Sequence, residues 1–376
     1  MPGRLVHVCP YFRPHLGGVE SHVEAVTREL ARRGWPVTVL TTRLAATPER
    51  ERVEGVDVVR VRPRASRFDT PVAPATARAL ADLRPALVHT HSPPPLTAWY
   101  AARAAARLDV PFVHTHHCDL ELAFPGGALI VEAYRRTLGR ATVRRAGAVI
   151  ATTQSYARTS RDLWKRAVDI VPNPVDTERF RPEVDASNVR ATLRVGHRPI
   201  ALFVGRLTHH KGVEHFIEAA AHSPPEVVHV VVGDGPRRRG LEALARHQPP
   251  GKVRLVGAVG HDELPAYYAA ADLAVLPSTS RLEAFGIVAL EAMACARPVV
   301  ATDIPGVAEV VEQEVTGLLV EPFSPEDIGR KVTRLVGDPK LRLAMGAAGR
   351  KRVLERFAAE KVVDRLEAVY DRVLRE

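Results

Sequence analysis

Two glutamates eight positions apart, Glu283 and Glu291, follow a predicted buried strand and could bind the hydroxyl groups of a ligand. Gly286 lies between them and permits a tight turn into a helix that begins near Ile287. The first N–H groups of that helix have no acceptor within it and can receive a phosphate. One carboxylate can accept hydrogen bonds from a sugar and the other from a ribose, since either would be costly in an apolar cleft without such partners. The alternative is a surface loop followed by an ordinary helical glutamate.

Two cations follow another predicted strand, residues 199–204, where a phosphate could bind. Gly205 and Arg206 come directly after this strand, and Lys211 precedes the next predicted helix. Ligands of parallel α/β sheets bind at the carboxyl ends of the strands, and a helix N-terminus favours an anion there. Arg206 and Lys211 could therefore hold a diphosphate, and two solvated surface cations are the alternative.

Histidines cluster at the ends of two predicted strands of the first half, at 89–91 and 114–117, and are followed by Cys118 and Asp119. Residues of these types can form a metal site. Cys118 would be an unusual partner for them, and nothing else in the sequence completes a ligand set, so we predict no metal.

A pair of glycines, Gly17 and Gly18, lies between the first predicted strand and a helix. The pair does not match the Gly-x-Gly-x-x-Gly fingerprint of dinucleotide-binding proteins. Two glycines before a helix N-terminus still form a loop that tolerates an anion.

The formal net charge of +10 lies wholly in the first half, where residues 1–182 carry 27 Lys and Arg against 17 Asp and Glu. Arg136, Arg140 and Arg144 recur there at helical spacing, on one face of a predicted helix. A solvated face is one interpretation, and contact with phospholipid heads or an anionic acceptor is the other. Nucleic acid is not a predicted partner, because the sequence has no zinc-finger spacing, basic-zipper heptads or aromatic-basic RNA pattern.

Strand patterns alternate with helical patterns in both halves, as expected for parallel doubly wound sheets. The predicted strands are residues 4–9, 36–41, 56–61, 87–90, 112–115 and 148–151 in the first half, and 199–204, 227–232, 253–256, 273–276 and 298–301 in the second. The run Val-Pro-Asn-Pro at 171–174 interrupts the alternation, since two prolines so close fit neither a helix interior nor a central strand.

The sequence therefore predicts an α/β protein with two Rossmann-like domains. We place an N-terminal domain at 1–182, a linker at 183–197 and a C-terminal domain at 198–355. A charged helical stretch at 356–376 is expected to pack back on the N-terminal domain.

Composition excludes several classes of protein. The 376 residues suffice for two domains, and 46% hydrophobic with 26% charged residues is typical of a globular chain. Three scattered cysteines form no disulfide framework. The start of the sequence is too short and too broken for a signal peptide, and no apolar run is long enough for a membrane span. We expect a cytoplasmic protein, which would contact the inner face of the plasma membrane peripherally if its basic surface binds lipid.

Taken together, these motifs resemble those of the retaining glycosyltransferases of family 4, the group 1 transferases with the GT-B fold. The run from Glu283 to Glu291 matches the family's Glu-x7-Glu motif, and the segment at 205–212 resembles its phosphate-binding element. VPNPVD at 171–176 resembles its linker, where Gly commonly stands in place of Pro174. Segments at 301–311 and 316–320 match its closing strands and loops. The resemblance covers nearly the whole chain, is strongest in residues 200–322, and implies two doubly wound domains that face a central cleft.

The resemblance implies roles for the residues on the donor side. Arg206 and Lys211 would bind the donor diphosphate and help catalysis. Glu283 would contact the transferred sugar, and Glu291 would bind the ribose. The donor site would be completed by the backbone groups of Phe285, Gly286, Ile287, Gly205, Gly17 and Gly18.

The family's Thr-x-His-x-Asp pattern maps onto residues 115–119 and implies a histidine beside the reacting sugar. We assign this role to His117. Side chains alternate at a strand end, which leaves open whether His116 or His117 faces the cleft.

The predicted function is retaining transfer of a hexose from a UDP- or GDP-sugar in glycan or glycolipid biosynthesis. The acceptor would be a lipid, a polysaccharide or a small molecule. The sequence contains no Asp-x-Asp motif of the kind that holds a diphosphate through a metal, so we expect no metal and no cofactor. The alternatives are a GT-B-type nucleotide-sugar epimerase or hydrolase, and a non-catalytic basic module that binds nucleic acid.

Overall fold

The computed structural model describes residues 3–15, 17–67, 70–122, 124–163 and 166–375. The chain forms two compact units. The first comprises the residues up to Pro174 together with those from Ala359 onward, and the second runs from Val175 to Ala358. Each unit has its own sheet and its own buried apolar core.

The first unit is built on an eight-stranded sheet. The strands of this unit are β1 (Leu5–Val8), β2 (Val37–Thr42), β3 (Arg50–Val53), β4 (Val56–Val61), β5 (Ala65–Arg67), β6 (Thr70–Val72), β7 (Leu87–Ser92), β8 (Phe112–His116), β9 (Ala148–Ala151) and β10 (Asp169–Ile170). Their order in the sheet is β10-β9-β8-β7-β1-β2-β4-β3, and β5 and β6 form a separate hairpin. Only β3 runs antiparallel to its neighbour in the large sheet. The strand order reverses between β1 and β7, where α/β proteins form their ligand crevices.

Helices cover both faces of this sheet. Before the division at Pro174 they are α1 (Gly18–Arg32), α2 (Ala75–Leu83), α3 (Leu96–Leu108), α4 (Gly127–Tyr134), α5 (Arg140–Arg145) and α6 (Gln154–Thr159). A π-helical turn, Arg135–Gly139, joins α4 to α5. Such a turn contains an extra residue, so it interrupts the α-helical spacing that predicted one face for the three arginines.

The second unit repeats the plan with a six-stranded sheet that is parallel throughout. Its strands are β11 (Ile200–Val204), β12 (Val228–Val232), β13 (Val253–Gly257), β14 (Leu273–Leu276), β15 (Val299–Thr302) and β16 (Gly317–Val320). Their order is β13-β12-β11-β14-β15-β16, which reverses between β11 and β14. Helices on both faces bury the sheet, which explains why β12 reads as an almost continuous β-branched run.

The helices of the second unit are α7 (Ser187–Leu193), α8 (Val213–Glu218), α9 (Arg238–Arg246), α10 (Leu264–Ala270), α11 (Ile287–Ala294), α12 (Val307–Val310), α13 (Pro325–Gly337) and α14 (Pro339–Arg356); the last helix of the chain is α15 (Ala359–Arg375). Among the described residues, none of the helices combines the length and the apolar character that crossing a bilayer requires.

Helix α15 belongs to the first unit, although it follows the second in sequence. Leu366, Val369 and Tyr370 are buried in the core of the first unit. Trp35 Nε1 donates a hydrogen bond of 2.7 Å to Glu367. The apolar stripe of α15 thus packs on the face of the first sheet that also carries α1.

Residues 183–197, predicted as an interdomain linker, lie inside the second unit, so that prediction was wrong. The stretch contains α7, whose Val189 and Leu193 are buried in the core of this unit. Its polar composition suggested a linker, but two apolar side chains at i and i+4 are enough to bury one face of a short helix. The units divide instead after Pro174 and after Ala358.

Candidate active site

Apart from Gly17 and Gly18, the residues predicted to bind a donor lie in the second unit, where the strand order reverses between β11 and β14. Connections from these two strands leave on opposite sides of the sheet, which forms a crevice at their carboxyl ends. The loop after β11 contains Arg206 and Lys211, and the loop after β14 contains Glu283. Lys211 and Glu283 meet there, although they are 72 residues apart in sequence.

Gly212 explains why the two loops can approach so closely. Its φ is +61°, and a Cβ at this position would lie 2.1 Å from the carbonyl oxygen of Pro277 at the end of β14. Only glycine fits both the backbone conformation and the space. The N–H of Thr279 also donates a hydrogen bond of 2.9 Å to the carbonyl of His210. These contacts hold the lysine that precedes Gly212 against the loop after β14.

Lys211 and Glu283 form an ion pair in which the carboxylate is buried and the ammonium group is partly exposed. Lys211 Nζ donates to Glu283 Oε2, and Ser278 Oγ donates to the same oxygen at 3.1 Å. Burial disfavours the charge of Glu283, but the charge of Lys211 and the two hydrogen bonds outweigh it and lower the pKa of the carboxyl. The carboxylate can accept hydrogen bonds from ligand hydroxyls, and the ammonium group retains N–H donors for a phosphate.

The residues at the start of α11 offer their backbone to a ligand. Gly286 has φ of +83°, and a Cβ there would lie 2.7 Å from Leu276 Cδ2. The Phe285 side chain is buried in the core, and the partly buried Ile287 packs against the same core. Since neither side chain projects freely, Phe285 and Ile287 can contribute only through their N–H groups.

Glu291 lies on α11 and is almost fully buried. It accepts a hydrogen bond of 2.7 Å from the hydroxyl of Tyr268. Burial raises the pKa of Glu291 to about 7, although the hydrogen bond from Tyr268 and the charges of Arg179 and Lys211 act to lower it. Ligand hydroxyls that donate to this carboxyl would favour its charged form.

Arg206 is the exposed cation of the site. The N–H of Gly205 continues the sheet by donating to the carbonyl of Val232 at 3.0 Å, and the chain leaves the sheet immediately afterwards. The Arg206 side chain has no hydrogen bond or ion pair among the residues that the structure describes. Its guanidinium is available to an anionic ligand.

The histidines at the ends of β7 and β8 divide between the two faces of the first sheet. The His117 ring packs against that of His22 on α1, with the ring centroids 4.7 Å apart. His116 points to the other face, and its Nε2 lies 3.0 Å from Asp119 Oδ1. Alternation along a strand requires this division, and the covering helices show that His117 is the one on the α1 side.

His117 ends a chain of hydrogen-bonded buried side chains. Its Nε2 lies 3.2 Å from His91 Nδ1, and His91 Nε2 lies 3.0 Å from His7 Nδ1. The hydroxyl of Tyr370 on α15 lies 3.2 Å from His7 Nε2 and 2.6 Å from His89 Nδ1. A neutral imidazole carries one N–H, so the direction of each hydrogen bond determines the next. The tautomer of His117 is therefore coupled to the orientation of the Tyr370 hydroxyl.

Burial keeps these imidazoles uncharged. It lowers the pKa of His7 to about 3 and that of His22, which donates through Nδ1 to Asn173 at 2.8 Å, to about 4. The pKa values of His91 and His117 also lie well below the ordinary value, first through burial and then through neighbouring histidines. His117 is accordingly a neutral hydrogen-bonding group at pH 7.

Sequence reasoning missed several of these residues. His7, His22 and Tyr370 are spread over β1, α1 and α15 and meet only in the folded unit. The only signal for them in the sequence is that each is a polar residue at a position where the apolar pattern predicts a core residue. Tyr268, the partner of Glu291, was missed for the same reason.

Three groups of described side chains could hold a metal ion, because one possible ligand atom from each member lies within 4.8 Å of the others. The groups are His7, His89 and His91; His22, His91 and His117; and His116, Asp119 and Asp162. Hydrogen bonds among the histidines and to Tyr370 already use ring nitrogens of the first two groups. The absence of a metal requirement stays a prediction.

Gly17 and Gly18 lie at the carboxyl end of β1, where Gly18 begins α1. Glu20 is buried beside this loop, and a Cβ on Gly17 would lie 2.4 Å from its Oε2. A carboxylate so close weakens the case that this loop binds a phosphate by itself.

Two family models match the chain, one in each half. The model described as glycosyl transferases group 1 matches residues 186–352, and the model described as Glycosyltransferase Family 4 matches residues 16–179.

Curated relatives are similar over most of their own length. A D-inositol 3-phosphate glycosyltransferase of Xylanimonas cellulosilytica is 32% identical over 97% of this chain and 94% of the relative. A GDP-mannose-dependent alpha-(1-6)-phosphatidylinositol monomannoside mannosyltransferase of Mycobacterium tuberculosis is 30% identical over 96% and 97%. An alpha-D-kanosaminyltransferase of Streptomyces kanamyceticus is 32% identical over 73% of each chain.

Solved structures of similar fold cover nearly the whole chain. Sucrose-phosphate synthase from Thermosynechococcus elongatus has a TM-score of 0.80 and 25% identity over 98% of this chain and 99% of that one. Anabaena HepE in complex with UDP-glucose has a TM-score of 0.79 over the same shares and, at 20% identity, is similar in fold alone.

Proposed function

Since this chain is a glycosyltransferase that belongs to group 1 and has the GT-B fold, we propose that it transfers a sugar from a UDP- or GDP-sugar with retention of anomeric configuration. The observation that carries the proposal is the pairing of Lys211 with Glu283, just before α11, together with the buried carboxyl of Glu291 within that helix. A nucleotide sugar requires positive charge and N–H groups for its diphosphate and acceptors for its sugar and ribose hydroxyls, and these residues supply both.

The proposed chemistry depends on stabilising the leaving group. As the bond from the anomeric carbon to the diphosphate breaks, both electrons pass to the phosphate oxygen. Lys211, Arg206 and the first N–H groups of α11 would hold the charge that develops there, which is the largest catalytic contribution such a site can make. Glu283, held by Lys211 and Ser278, would position the sugar.

Retention follows if the acceptor oxygen attacks the anomeric carbon on the face that the diphosphate leaves. The departing phosphate then takes the proton of the acceptor hydroxyl, so atoms and charge balance without a protein nucleophile. The role that the family resemblance implies for His117 would be that of a neutral hydrogen-bonding group, since burial keeps its imidazole uncharged.

The choice of nucleotide rests on the family resemblance and on one relative, whose name states that it depends on GDP-mannose. The acceptor would be a lipid, a polysaccharide or a small molecule in glycan or glycolipid biosynthesis. The names of two relatives include an inositol phosphate and a phosphatidylinositol mannoside as acceptors.

We expect donor affinity to depend on pH through Glu291. With a pKa of about 7, this carboxyl is mostly protonated at pH 6 and mostly charged at pH 8. Ribose hydroxyls bind the charged form better, so binding releases a proton. The donor should therefore bind about tenfold more tightly at pH 8 than at pH 6. Calorimetry with UDP- and GDP-sugars at the two pH values measures this difference.

Glu291→Gln removes the titrating group and should weaken binding at pH 8 by at least about tenfold, the value of one hydrogen bond to a charged group. It should also remove the pH dependence. Glu355→Gln, at an exposed position on α14, is the matched control and should change neither. An unchanged pH dependence in Glu291→Gln would place the ribose elsewhere.

We expect transfer activity to survive EDTA, since the cations of the chain can neutralise the diphosphate. Release of nucleoside diphosphate is measured before and after chelation. Complete loss of activity, restored by a single divalent ion, would contradict the prediction and direct attention to the three groups of possible metal ligands. The same assay separates transfer from the alternative of hydrolysis, because a transferase releases nucleoside diphosphate rapidly only when an acceptor is present.

A further inference from the structure

The first unit contains a cavity of about 410 Å³ at the carboxyl ends of β7 and β8. It lies on the α3 side of the sheet, the side opposite to His117. Ser92, His114, His116 and Cys118 line it from the strand ends, and Tyr134 lines it from α4. The volume is in the range of sites that enclose a small ligand.

Arginines dominate the wall of this cavity. Six of them line it: Arg135, Arg136, Arg140, Arg144, Arg161 and Arg166. Asp162 is the only carboxylate among the described residues that line it. The interruption of helical spacing by the π-helical turn does not separate the three predicted arginines, since Arg136, Arg140 and Arg144 all reach the same cavity.

Half of these cations already have partners. Arg135 and Arg136 both donate to Glu132, and Arg166 donates a hydrogen bond of 2.7 Å to the carbonyl of Val143.

The other three are Arg140, Arg144 and Arg161, and their side chains make no hydrogen bond or ion pair within the described part of the chain. The basic excess of the first half thus includes three guanidinium groups around one cavity that have no partner among the described residues.

The chemistry of the wall selects a phosphate. A guanidinium presents N–H donors in a planar fork that matches phosphate oxygens, and several forks around one cavity favour a doubly charged group over a carboxylate. The strand ends add polar groups suited to hydroxyls: Ser92 Oγ lies 3.3 Å from His114 Nε2 and lines the same space. A polyol that carries a phosphate ester satisfies both parts of the cavity.

We propose that this cavity binds the phosphate of a phosphorylated polyol, either free or as the head group of a phospholipid. Taking that molecule to be the sugar acceptor rests on the transfer proposed above. His116 and Cys118 line the cavity, and His117 stands between them on the other face of the same strand end. An acceptor anchored by its phosphate would extend its hydroxyls around this strand end toward His117.

Glycerol 3-phosphate and vesicles of phosphatidylglycerol are suitable probes, because they present the same glycerophosphate free and on a lipid. Glycerol and phosphatidylcholine vesicles are the neutral counterparts. Calorimetry measures binding of the free phosphate ester and co-sedimentation measures binding of the vesicles, each at low and high salt. We expect saturable binding of at least one anionic probe and none of its neutral counterpart.

The double variant Arg140→Gln/Arg144→Gln should weaken that binding at least tenfold. Both positions are exposed, so the fold should survive, as a melting curve will verify. Arg78→Gln/Arg107→Gln removes the same charge from exposed positions of the same unit that do not line the cavity, and should bind as wild type does. Arg161→Gln should weaken binding by itself.

Equal losses in the two double variants would mean diffuse surface electrostatics and would overturn the proposal, as would no binding of either anionic probe. Loss confined to the vesicles identifies a lipid head group, and loss confined to glycerol 3-phosphate identifies a soluble ligand. Lys211→Met should retain the anionic probe while losing nucleotide-sugar binding, so a failure of the donor site can be told from a failure of the cavity.

Discussion

Replacement of Lys211 by methionine is expected to lower kcat/KM for sugar transfer by about 100- to 1000-fold, the usual cost of removing one group that stabilises a developing anion. Lys211 Nζ bonds directly to Glu283, which shortly precedes the helix whose N-terminus is proposed to hold the leaving diphosphate. Methionine keeps the length and the apolar packing of the side chain but supplies neither charge nor donor. The measurement is the rate of nucleoside diphosphate release in the presence of acceptor.

Loss of the lysine also leaves Glu283 buried without its counter-charge, which costs about 3 kcal/mol when such a pair is broken from one side. The double variant Lys211→Met/Glu283→Gln removes that unpaired charge. It should regain most of the lost thermal stability and none of the activity. Recovery of activity in the double variant would mean that Lys211 serves only to neutralise the glutamate.

Lys351→Met provides the matched control. Lys351 is exposed on α14 and forms only a 3.9 Å ion pair with Glu355. Its replacement removes the same charge from the same unit and should leave both kcat/KM and the melting temperature unchanged.

Acid should destabilise the second unit through His229 on β12. Its Nδ1 donates to the carbonyl of Phe216 at 3.0 Å, so its Nε2 must accept the hydrogen bond from Ser223 Oγ at 2.9 Å. Burial, opposed by the bond to Phe216, lowers the pKa of His229 to about 3. The folded protein thus holds this imidazole neutral at a pH where the unfolded chain protonates it.

The direction of the effect follows from linkage. The unfolded histidine, with a pKa of about 6.5, binds a proton as the pH falls below that value, and the folded one does not until about pH 3. The contribution of His229 is therefore fully present above pH 6.5 and declines by about 1.4 kcal/mol per pH unit down to pH 3. Between pH 7.5 and pH 5 it should decline by about 2 kcal/mol.

His229→Gln removes this titration and should lose about 2 kcal/mol less of its free energy of unfolding than wild type does over that interval. Urea denaturation at pH 7.5 and pH 5 measures the difference, with the transition of each unit followed separately. His197→Gln, at an exposed position of the same unit, should behave as wild type does. Equal pH dependence in all three proteins would show that His229 is not held neutral by the fold.

Local patterns in the sequence predicted much of the donor site that we propose. Strand patterns and the turn residues that end them placed Arg206 and Lys211 after one predicted strand and Glu283 after another. In a parallel sheet the carboxyl ends of the strands lie at one edge, so these residues were expected to be neighbours. Gly286, which permits a tight turn, predicted the start of a helix near Ile287, where α11 begins. The combination of motifs predicted the GT-B glycosyltransferase family, which the family models and relatives confirm.

Local patterns failed where burial depended on partners far away in sequence. The stretch at 183–197 was polar enough to suggest a linker, yet Val189 and Leu193 anchor it in a core formed by other strands. The pKa of Glu291 depends on burial beneath α10 and on Tyr268, neither of which its own neighbours in sequence reveal.

The sequence by itself determined the alternation of elements, the chemical groups at the strand ends and the family, because each depends on residue types within a few positions of one another. Only the tertiary structure decided which groups meet. The pleat requires His116 and His117 to face opposite ways. The order of the strands puts His117 beside His91, which in turn contacts His7, and leaves His116 with the arginines of the cavity. Strand order is set by packing across the whole unit, and no local pattern records it.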